Sequence, residues 1–120
     1  MQEFMLKAKL HRATVTHAEL SYEGSLSIDQ DLMAAVGIRE FERIHIYNIN
    51  NGERFETYAI KADSGSGTIG LNGAAARKGM VGDLIIVVSY CLVDSTEATD
   101  YRPRIALLEA NNRIKEMIAG

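Results

Sequence analysis

The chain has 120 residues, 47% of them hydrophobic and 24% charged, which suffices for one compact domain but not for two of ordinary size. Its net charge of −3 gives no basic surface for nucleic acid or an anionic membrane. A single cysteine excludes an internal disulfide framework and a multi-thiolate metal site. No apolar stretch approaches the roughly 20 residues that span a bilayer, so we expect a cytoplasmic protein.

Strand-like alternation of apolar and polar residues dominates the chain. In a first strand over 6–15, Ala8 and Leu10 point to one face, while Lys9 and His11 point to the other. Further strands are predicted over 43–49, 53–60, 67–71, 84–92 and 104–109.

Turn and helix signals are short. The pair Asn51-Gly52 predicts a tight hairpin turn between the second and third strands, because both residues tolerate positive φ. Ser27 or Asp29 is expected to cap a helix over 30–36, and the glycine that follows ends it. Two other segments, 72–78 and 112–119, are predicted to form a helical turn and a short terminal or frayed helix.

Six or so strands with little helix predict a mainly β fold that is closed, or nearly closed, into a barrel, since closure removes exposed edges. The strand over 84–92 is apolar on both faces, so we expect another subunit to cover its outer face. The three histidines lack metal-ligand spacing, and no phosphate-binding loop is present. Composition and spacing alone indicate no more than a small β-barrel.

Five segments occur in an order and spacing that are highly specific together. They are KLHR at 9–12, YEGS at 22–25, TYAI at 57–60, NGAAA at 72–76 and VGDLII at 81–86. On these segments the chain, from about residue 5 to about residue 109, resembles the aspartate 1-decarboxylase family. The resemblance implies a six-stranded double-psi β-barrel and a homotetramer. It also implies one domain over 1–120 that cuts itself into a β chain, 1–24, and an α chain, 25–120.

The resemblance further implies autocatalytic serinolysis of the bond between Gly24 and Ser25. The Ser25 hydroxyl attacks the Gly24 carbonyl, and elimination from the resulting ester leads to a pyruvoyl group at position 25. A glycine leaves its carbonyl open to attack and tolerates backbone geometry that a Cβ forbids. A serine hydroxyl needs assistance, and the oxyanion needs donors. Thr57 and Asn72 are the candidates that the family offers for this assistance.

The implied reaction converts L-aspartate to β-alanine and CO2, in support of pantothenate and coenzyme A synthesis. The pyruvoyl group from Ser25 forms a Schiff base with the substrate and acts as the electron sink, without a metal. Tyr58 is the implied proton donor, since a phenol is protonated at neutral pH. The two substrate carboxylates need cations, for which Arg54 and Lys9 are the candidates. The implied substrate-binding set also includes Thr57, Gly73, Ala74 and Ala75, with His11 and Tyr22 as secondary candidates.

Charge on the departing α-carboxylate is lost in the transition state, so a tight salt bridge there would stabilise the reactant more. We therefore assign Arg54, assisted by Lys9, to the retained β-carboxylate. Alternation puts Arg54 and Tyr58 on one face of a strand and Thr57 on the other. One site can use both faces only at a barrel edge, a subunit boundary or a bulge, which favours a site between subunits.

Two other interpretations stay open at this point. One is a non-enzymatic barrel that binds a ligand or partner, in which Gly24-Ser25 is an ordinary turn like Gly65-Ser66. The other is a barrel that binds single-stranded nucleic acid, although the acidic charge balance counts against it. Both predict an intact chain, and so does a precursor that waits for a maturation factor.

Overall fold

The computed structural model describes residues 1–118, and the fold is mainly β with a few short helices. The nine strands are β1 Gln2–Thr14, β2 His17–Glu19, β3 Ser25–Asp29, β4 Arg43–Asn48, β5 Arg54–Ala62, β6 Ile69–Asn72, β7 Leu84–Asp94, β8 Arg104–Glu109 and β9 Arg113–Ile118. The α-helices are α1 Gln30–Val36 and α2 Ser95–Ala98, and two 3₁₀ helices cover Gly73–Lys78 and Ala110–Asn112. Within residues 1–118, no helix is long and apolar enough to cross a membrane.

The local signals in the sequence are largely confirmed. All six predicted strands exist, with ends that shift by a few residues. Helix α1 has Asp29 rather than Ser27 as its cap, and the Asp29 carboxylate accepts the Asp31 N–H at 2.8 Å. The helix ends at Gly37, which has the left-handed φ of 81°. These features depend on neighbours within a few residues, which is why periodicity and capping rules predict them.

The end of the chain differs from its prediction. The segment from 112 was expected to form a helix or a frayed tail, but Arg113–Ile118 is strand β9 and pairs antiparallel with β8. Strand β8 would otherwise leave a row of backbone N–H and C=O groups without partners at the sheet edge, and β9 supplies those partners. Ala119, the last residue of the predicted segment, lies outside the described residues.

The hairpin between β4 and β5 is also looser than predicted. Its loop covers 49–52, and only Gly52 has a positive φ, of 77°. The Asn48 side-chain oxygen accepts the backbone N–H groups of Asn50 and Asn51, at 2.8 and 3.3 Å. The prediction of a tight turn at Asn51-Gly52 was therefore wrong, because the Asn48 side chain stabilises a four-residue loop instead.

The strands form one sheet in the order β2-β6-β3-β5-β4-β7-β1-β8-β9. Strands β1 and β2 are separated only by Val15 and Thr16, so one chain segment pairs with β7 at its start and with β6 at its end. The predicted count of six strands is not confirmed, because β2, β3 and β9 were not predicted as strands. Large, fully buried side chains of the core include Leu10, Leu26, Ile28, Ile44, Ile46, Ile69, Leu71 and Ile85.

Strand β1 has two irregularities in its pairing with β7, at Lys7 and at Arg12. Between them the predicted alternation holds, with Ala8 buried and Lys9 on the other face. Arg12 has a φ of 66°, which is uncommon for a residue with a Cβ. The irregularity at Arg12 turns the buried side chain of Ala13 into the core.

Candidate active site

Ser25 is the first residue of β3 and lies between two other strands. It pairs with Asn72 of β6 on one side, and the parallel register of β3 with β5 places it beside Tyr58 on the other. The Ser25 side chain is only 4% exposed, whereas Gly24 before it is exposed. The bond predicted to be cut therefore joins an exposed loop to a buried strand.

The Asn72 amide bridges two serine hydroxyls. Its Nδ2 donates to Ser25 Oγ at 3.0 Å and to Ser27 Oγ at 2.7 Å. The Ser25 hydroxyl lies 3.5 Å from the Glu23 carbonyl oxygen, at the long limit of a hydrogen bond. Asn72 thus directs a donor at the oxygen that was expected to act as the nucleophile. Ser27 was not predicted as a site residue, although its spacing of two from Ser25 puts both on one face of a strand.

Gly73 packs directly against the loop that contains Gly24. Gly73 has a φ of 63°, and a Cβ there would lie 2.6 Å from the Gly24 nitrogen and from the Tyr22 carbonyl oxygen. Gly24 has no positive φ, and a Cβ on it would meet nothing within 4 Å. The uncut chain therefore does not use the backbone freedom that a glycine offers at position 24. The steric requirement for glycine lies at Gly73.

A surface pocket of about 470 Å³ opens beside Ser25, which is within the range of small-molecule sites. It brings the expected nucleophile, proton donor and assisting amide together within one chain. No cationic side chain of the described residues lines it. The lining residues are Tyr22, Glu23, Ser25, Ser27, Tyr58, Ile60 and Asn72.

The two predicted cations lie away from this pocket. Arg54 precedes Tyr58 by four residues along β5, a distance of about 13 Å in a strand. Lys9 is on β1, and strands β4 and β7 lie between β1 and β5, a path of about 14 Å across the sheet. Within one chain the structure therefore brings neither cation to Ser25.

Arg54 has an aromatic support instead. Its guanidinium carbon lies 3.9 Å from the centre of the Tyr47 ring, and the Tyr47 hydroxyl lies 2.7 Å from the Tyr90 hydroxyl. Burial, followed by the hydrogen bond with Tyr47, raises the pKa of Tyr90 to about 12, so the Tyr90 hydroxyl keeps its proton at neutral pH. Among the described residues no carboxylate forms a salt bridge with Arg54, which leaves its donors free for an anion.

Thr57 lies on the opposite face of β5 from Tyr58, as alternation predicted. It pairs with the buried Ile44 of β4, and the register of β4 with β5 shows no bulge there. Strand β3 pairs with β5 only from Ala59 onward, so the edge of β5 at Thr57 faces the loop before Ser25 rather than β3. No hydrogen bond joins the Thr57 hydroxyl to Ser25 within residues 1–118.

The remaining candidates differ in their surroundings. Ala75 is 7% exposed and packs into the core, whereas Ala74 is exposed. His11 has a buried Nδ1 that finds no hydrogen-bond partner among the described residues. Burial, followed by the positive charges of Lys9 and Arg12, lowers the pKa of His11.

In the part of the chain that the structure describes, no group of three or more His, Cys, Asp or Glu side chains is placed to hold a metal ion.

The fold and pocket define a small, mainly β protein with a buried serine and an amide donor at a pocket wall. The family model described as aspartate decarboxylase matches residues 1–115, and the chain belongs to that family. The aspartate 1-decarboxylase of Desulfotalea psychrophila is 60% identical, over 95% of this chain and 96% of that protein. The protein of the same name from Ralstonia nicotianae is 57% identical over 99% of each. The one from Methylococcus capsulatus is 58% identical over 95% of this chain and 90% of its own length.

Proposed function

We propose that this chain converts L-aspartate to β-alanine and CO2 after cutting itself between Gly24 and Ser25. The observation that carries the proposal is the 3.0 Å hydrogen bond from Asn72 Nδ2 to Ser25 Oγ, at the wall of a pocket that also contains Tyr58. Relatives named aspartate 1-decarboxylase, at 60% and 57% identity, support the substrate. We assign the reaction to the cytoplasm, where β-alanine feeds pantothenate and coenzyme A synthesis.

Processing begins when the Ser25 hydroxyl adds to the Gly24 carbonyl and the amide nitrogen leaves, so that a peptide bond becomes an ester. A base then removes the Cα proton of residue 25, the Cβ–Oγ bond breaks, and Gly24 departs as a carboxylate. The dehydroalanine that remains takes up water and releases ammonia, which yields the pyruvoyl group. The Asn72 N–H stabilises the negative charge that develops on the departing oxygen.

The residues around position 25 fit this group. The pyruvoyl ketone supplies an electron sink for the electrons that the lost carboxylate leaves behind. Ser25 is 4% exposed and lines the pocket, so the group formed from it would lie at the pocket wall, where a substrate can reach it. Tyr58 borders the same pocket, and its phenol is the proton donor to the substrate carbon.

The cations for the substrate come from a neighbouring subunit in this proposal. No cationic side chain among the described residues lines the pocket beside Ser25, and Arg54 and Lys9 lie too far away along and across the sheet. Phe4 and Leu92 pair directly across β1 and β7, yet they are 78% and 53% exposed. Exposed apolar side chains that lie side by side are typical of a subunit interface seen in a single chain. In a homotetramer with sites between subunits, Arg54 and Lys9 of one chain bind the β-carboxylate beside Ser25 of the next.

The six-stranded double-psi barrel also belongs to this proposal. Its ring consists of β1 together with β2, then β6, β3, β5, β4 and β7. The pairing of one continuous segment with β7 at its start and β6 at its end supports this ring. Strands β8 and β9 extend the sheet outside it. The ring places the start of β3 between β5 and β6, which is where Ser25 meets both Tyr58 and Asn72.

The state of the purified chain tests the proposed function. After warm incubation, mass spectrometry under denaturing conditions should find fragments 1–24 and 25–120, the second with a blocked N-terminus, and the protein should form β-alanine from L-aspartate. The Ser25→Ala variant should stay intact and inactive. A wild-type chain that stays intact and inactive, even after incubation with an extract that supplies a maturation factor, contradicts the proposal and supports a binding barrel.

A further inference from the structure

Three polar side chains form a bridge on one face of β3 and β6. Asn72 Nδ2 donates to both Ser27 Oγ and Ser25 Oγ, and the bond to Ser27 is the shorter, at 2.7 against 3.0 Å. An amide nitrogen carries two hydrogens, so both are used. We propose that Ser27 is a positioning residue for the cutting of the chain, because it holds the Asn72 amide with its other N–H directed at Ser25 Oγ. This inference rests on the proposed function.

The register of β3 and β6 explains why the bridge forms. Ser25 lies opposite Asn72, and Ser27 lies opposite Gly70, so Asn72 reaches Ser27 along a diagonal of the antiparallel pair. Gly70 has no side chain, and a Cβ there would lie 3.5 Å from the Ser27 Cβ and 3.9 Å from Asn72 Oδ1. Both are ordinary van der Waals distances, so glycine at 70 leaves the diagonal between Asn72 and Ser27 open without being sterically required there.

Ser27 is the partner of Asn72 that stays unchanged during processing. The torsion at the end of an asparagine side chain is broad, so an amide held by one weak acceptor rotates easily. Ser25 Oγ begins as a hydroxyl oxygen, becomes an ester oxygen, and finally leaves with Gly24. The Ser27 hydroxyl takes no part in these changes, so it can restrain the amide in every step.

The restraint matters most in the elimination. A base takes the Cα proton of residue 25, and that electron pair forms the Cα–Cβ double bond. The Cβ–Oγ bond breaks, its electron pair goes to Oγ, and Gly24 leaves as a carboxylate. A donor held at Oγ meets this charge as it develops and needs no reorganisation. Without Ser27 the donor must first be oriented, which costs rate but does not abolish the reaction.

The first test is the rate at which the purified precursor is cut, followed by mass spectrometry. Ser27→Ala should slow cutting by roughly 10- to 100-fold, the size of effect expected for a misplaced group. Ser27→Thr keeps the hydroxyl, and Gly70 opposite it leaves room for the extra methyl group, so this variant should restore most of the rate. Ser64→Ala is the matched control, because the Ser64 hydroxyl bonds to Asp31 and not to Asn72.

A second comparison separates positioning from a general structural role. If Ser27 acts through Asn72, then Ser27→Ala combined with Asn72→Ala should be cut no more slowly than Asn72→Ala alone. If Ser27→Ala does not fold, Ser27→Thr and Ser27→Val provide the same comparison, since these two side chains have similar shape and differ by a hydroxyl. Circular dichroism of each precursor checks folding.

The outcomes distinguish the two proposals. If the wild-type chain is cut but Ser27→Ala, or Ser27→Val in its place, is cut at the same rate, the role of Ser27 is overturned and the proposed function stands. A further loss of rate in the double variant, or no rescue by Ser27→Thr, also overturns that role. If the wild-type chain is never cut and makes no β-alanine, both proposals fail.

Discussion

The backbone of Gly73 packs against the backbone of Gly24, so closely that a Cβ on Gly73 would lie 2.6 Å from the Gly24 nitrogen and 2.8 Å from its Cα. Gly73 follows Asn72, the residue that donates to Ser25 Oγ. One short stretch therefore holds both sides of the Gly24–Ser25 bond. The loop on one side packs against Gly73, and the serine oxygen on the other side is bound by Asn72.

Gly73→Ala should move this loop. The positive φ costs about 1 kcal/mol for a residue with a Cβ, and the clash with backbone atoms adds to it, so we expect a loss of about 1–3 kcal/mol and slower cutting. Thermal unfolding and the rate of cutting measure the two effects. Gly52→Ala is the control, because Gly52 has a φ of 77° with nothing within 4 Å. Gly52→Ala should lose stability without a change in the rate of cutting. If Gly73→Ala and Gly52→Ala are cut at the same rate, the prediction is contradicted.

Tyr58→Phe should affect catalysis and not processing. Removal of a general acid typically lowers the rate by roughly 10²- to 10⁴-fold, and the ring that lines the pocket is retained. We therefore expect fragments 1–24 and 25–120 as in the wild type, with a large fall in kcat for β-alanine formation. An unchanged kcat in fully cut enzyme would show that Tyr58 is not the proton donor.

Arg54→Lys and Lys9→Ala should raise KM for L-aspartate. Lysine cannot reproduce the two parallel hydrogen bonds of a guanidinium with a carboxylate, and alanine removes the charge altogether. We expect a rise of roughly tenfold or more, equivalent to about 1.4 kcal/mol per tenfold change. Steady-state kinetics on fully cut enzyme measures it. Unchanged kinetics in both variants would contradict the assignment of these cations to the β-carboxylate.

Tyr90→Phe should weaken substrate binding from a distance. It removes the 2.7 Å hydrogen bond to the Tyr47 hydroxyl and frees the ring over which Arg54 lies. A net hydrogen bond contributes about 0.5–1.5 kcal/mol, so KM should rise severalfold while cutting is unaffected. Tyr47→Phe removes the other hydroxyl of the same bond and retains the ring, so it should behave alike. A normal KM in both variants argues against the aromatic support.

Glu42 should contribute to stability in a pH-dependent way. Burial alone would raise its pKa, but the Arg39 backbone N–H and the Lys7 ammonium, which lies 2.9 Å away, leave the pKa below its ordinary value of 4.5. A lowered carboxyl pKa stabilises the fold above the unfolded value, and this contribution is lost as the pH falls through the folded value. Stability should therefore decline as the pH drops below about 4.5.

Glu42→Gln should remove that decline. Because Lys7 then loses its charged partner, we expect a loss of about 1–3 kcal/mol at neutral pH, measured by urea unfolding between pH 3 and pH 7. Glu53→Gln is the control, since Glu53 pairs with Lys78 and both side chains are 45% exposed. That change should stay within about 1 kcal/mol. Parallel pH profiles for wild type and Glu42→Gln contradict this prediction.

Some strands could be predicted from the sequence and others could not. Strand β1 has one polar and one apolar face around Leu10, and this period of two is visible along the chain. Strand β3 is buried at Leu26 and Ile28 and also at Ser25 and Asp29. Because Ser27 and Asp29 lie just before α1, the sequence indicates candidate helix caps there and not strand residues. Strand β9 is exposed along its whole length, so no buried face marks it in the sequence. It forms a strand because its backbone pairs with the edge of β8.

By itself the sequence determined the family, the ends of α1 and six of the nine strands. Motifs, helix caps and strand alternation each depend on residues that are close together in the chain. Only the tertiary structure decided that Asn72 bridges Ser25 and Ser27, and that the backbone around Gly24 leaves no room for a Cβ at Gly73. Asn72 and Ser25 are 47 residues apart, and the register of β3 with β6 brings them together. The same sheet places Arg54 and Lys9 away from Ser25, since a strand order is set by long-range pairing that no local pattern contains.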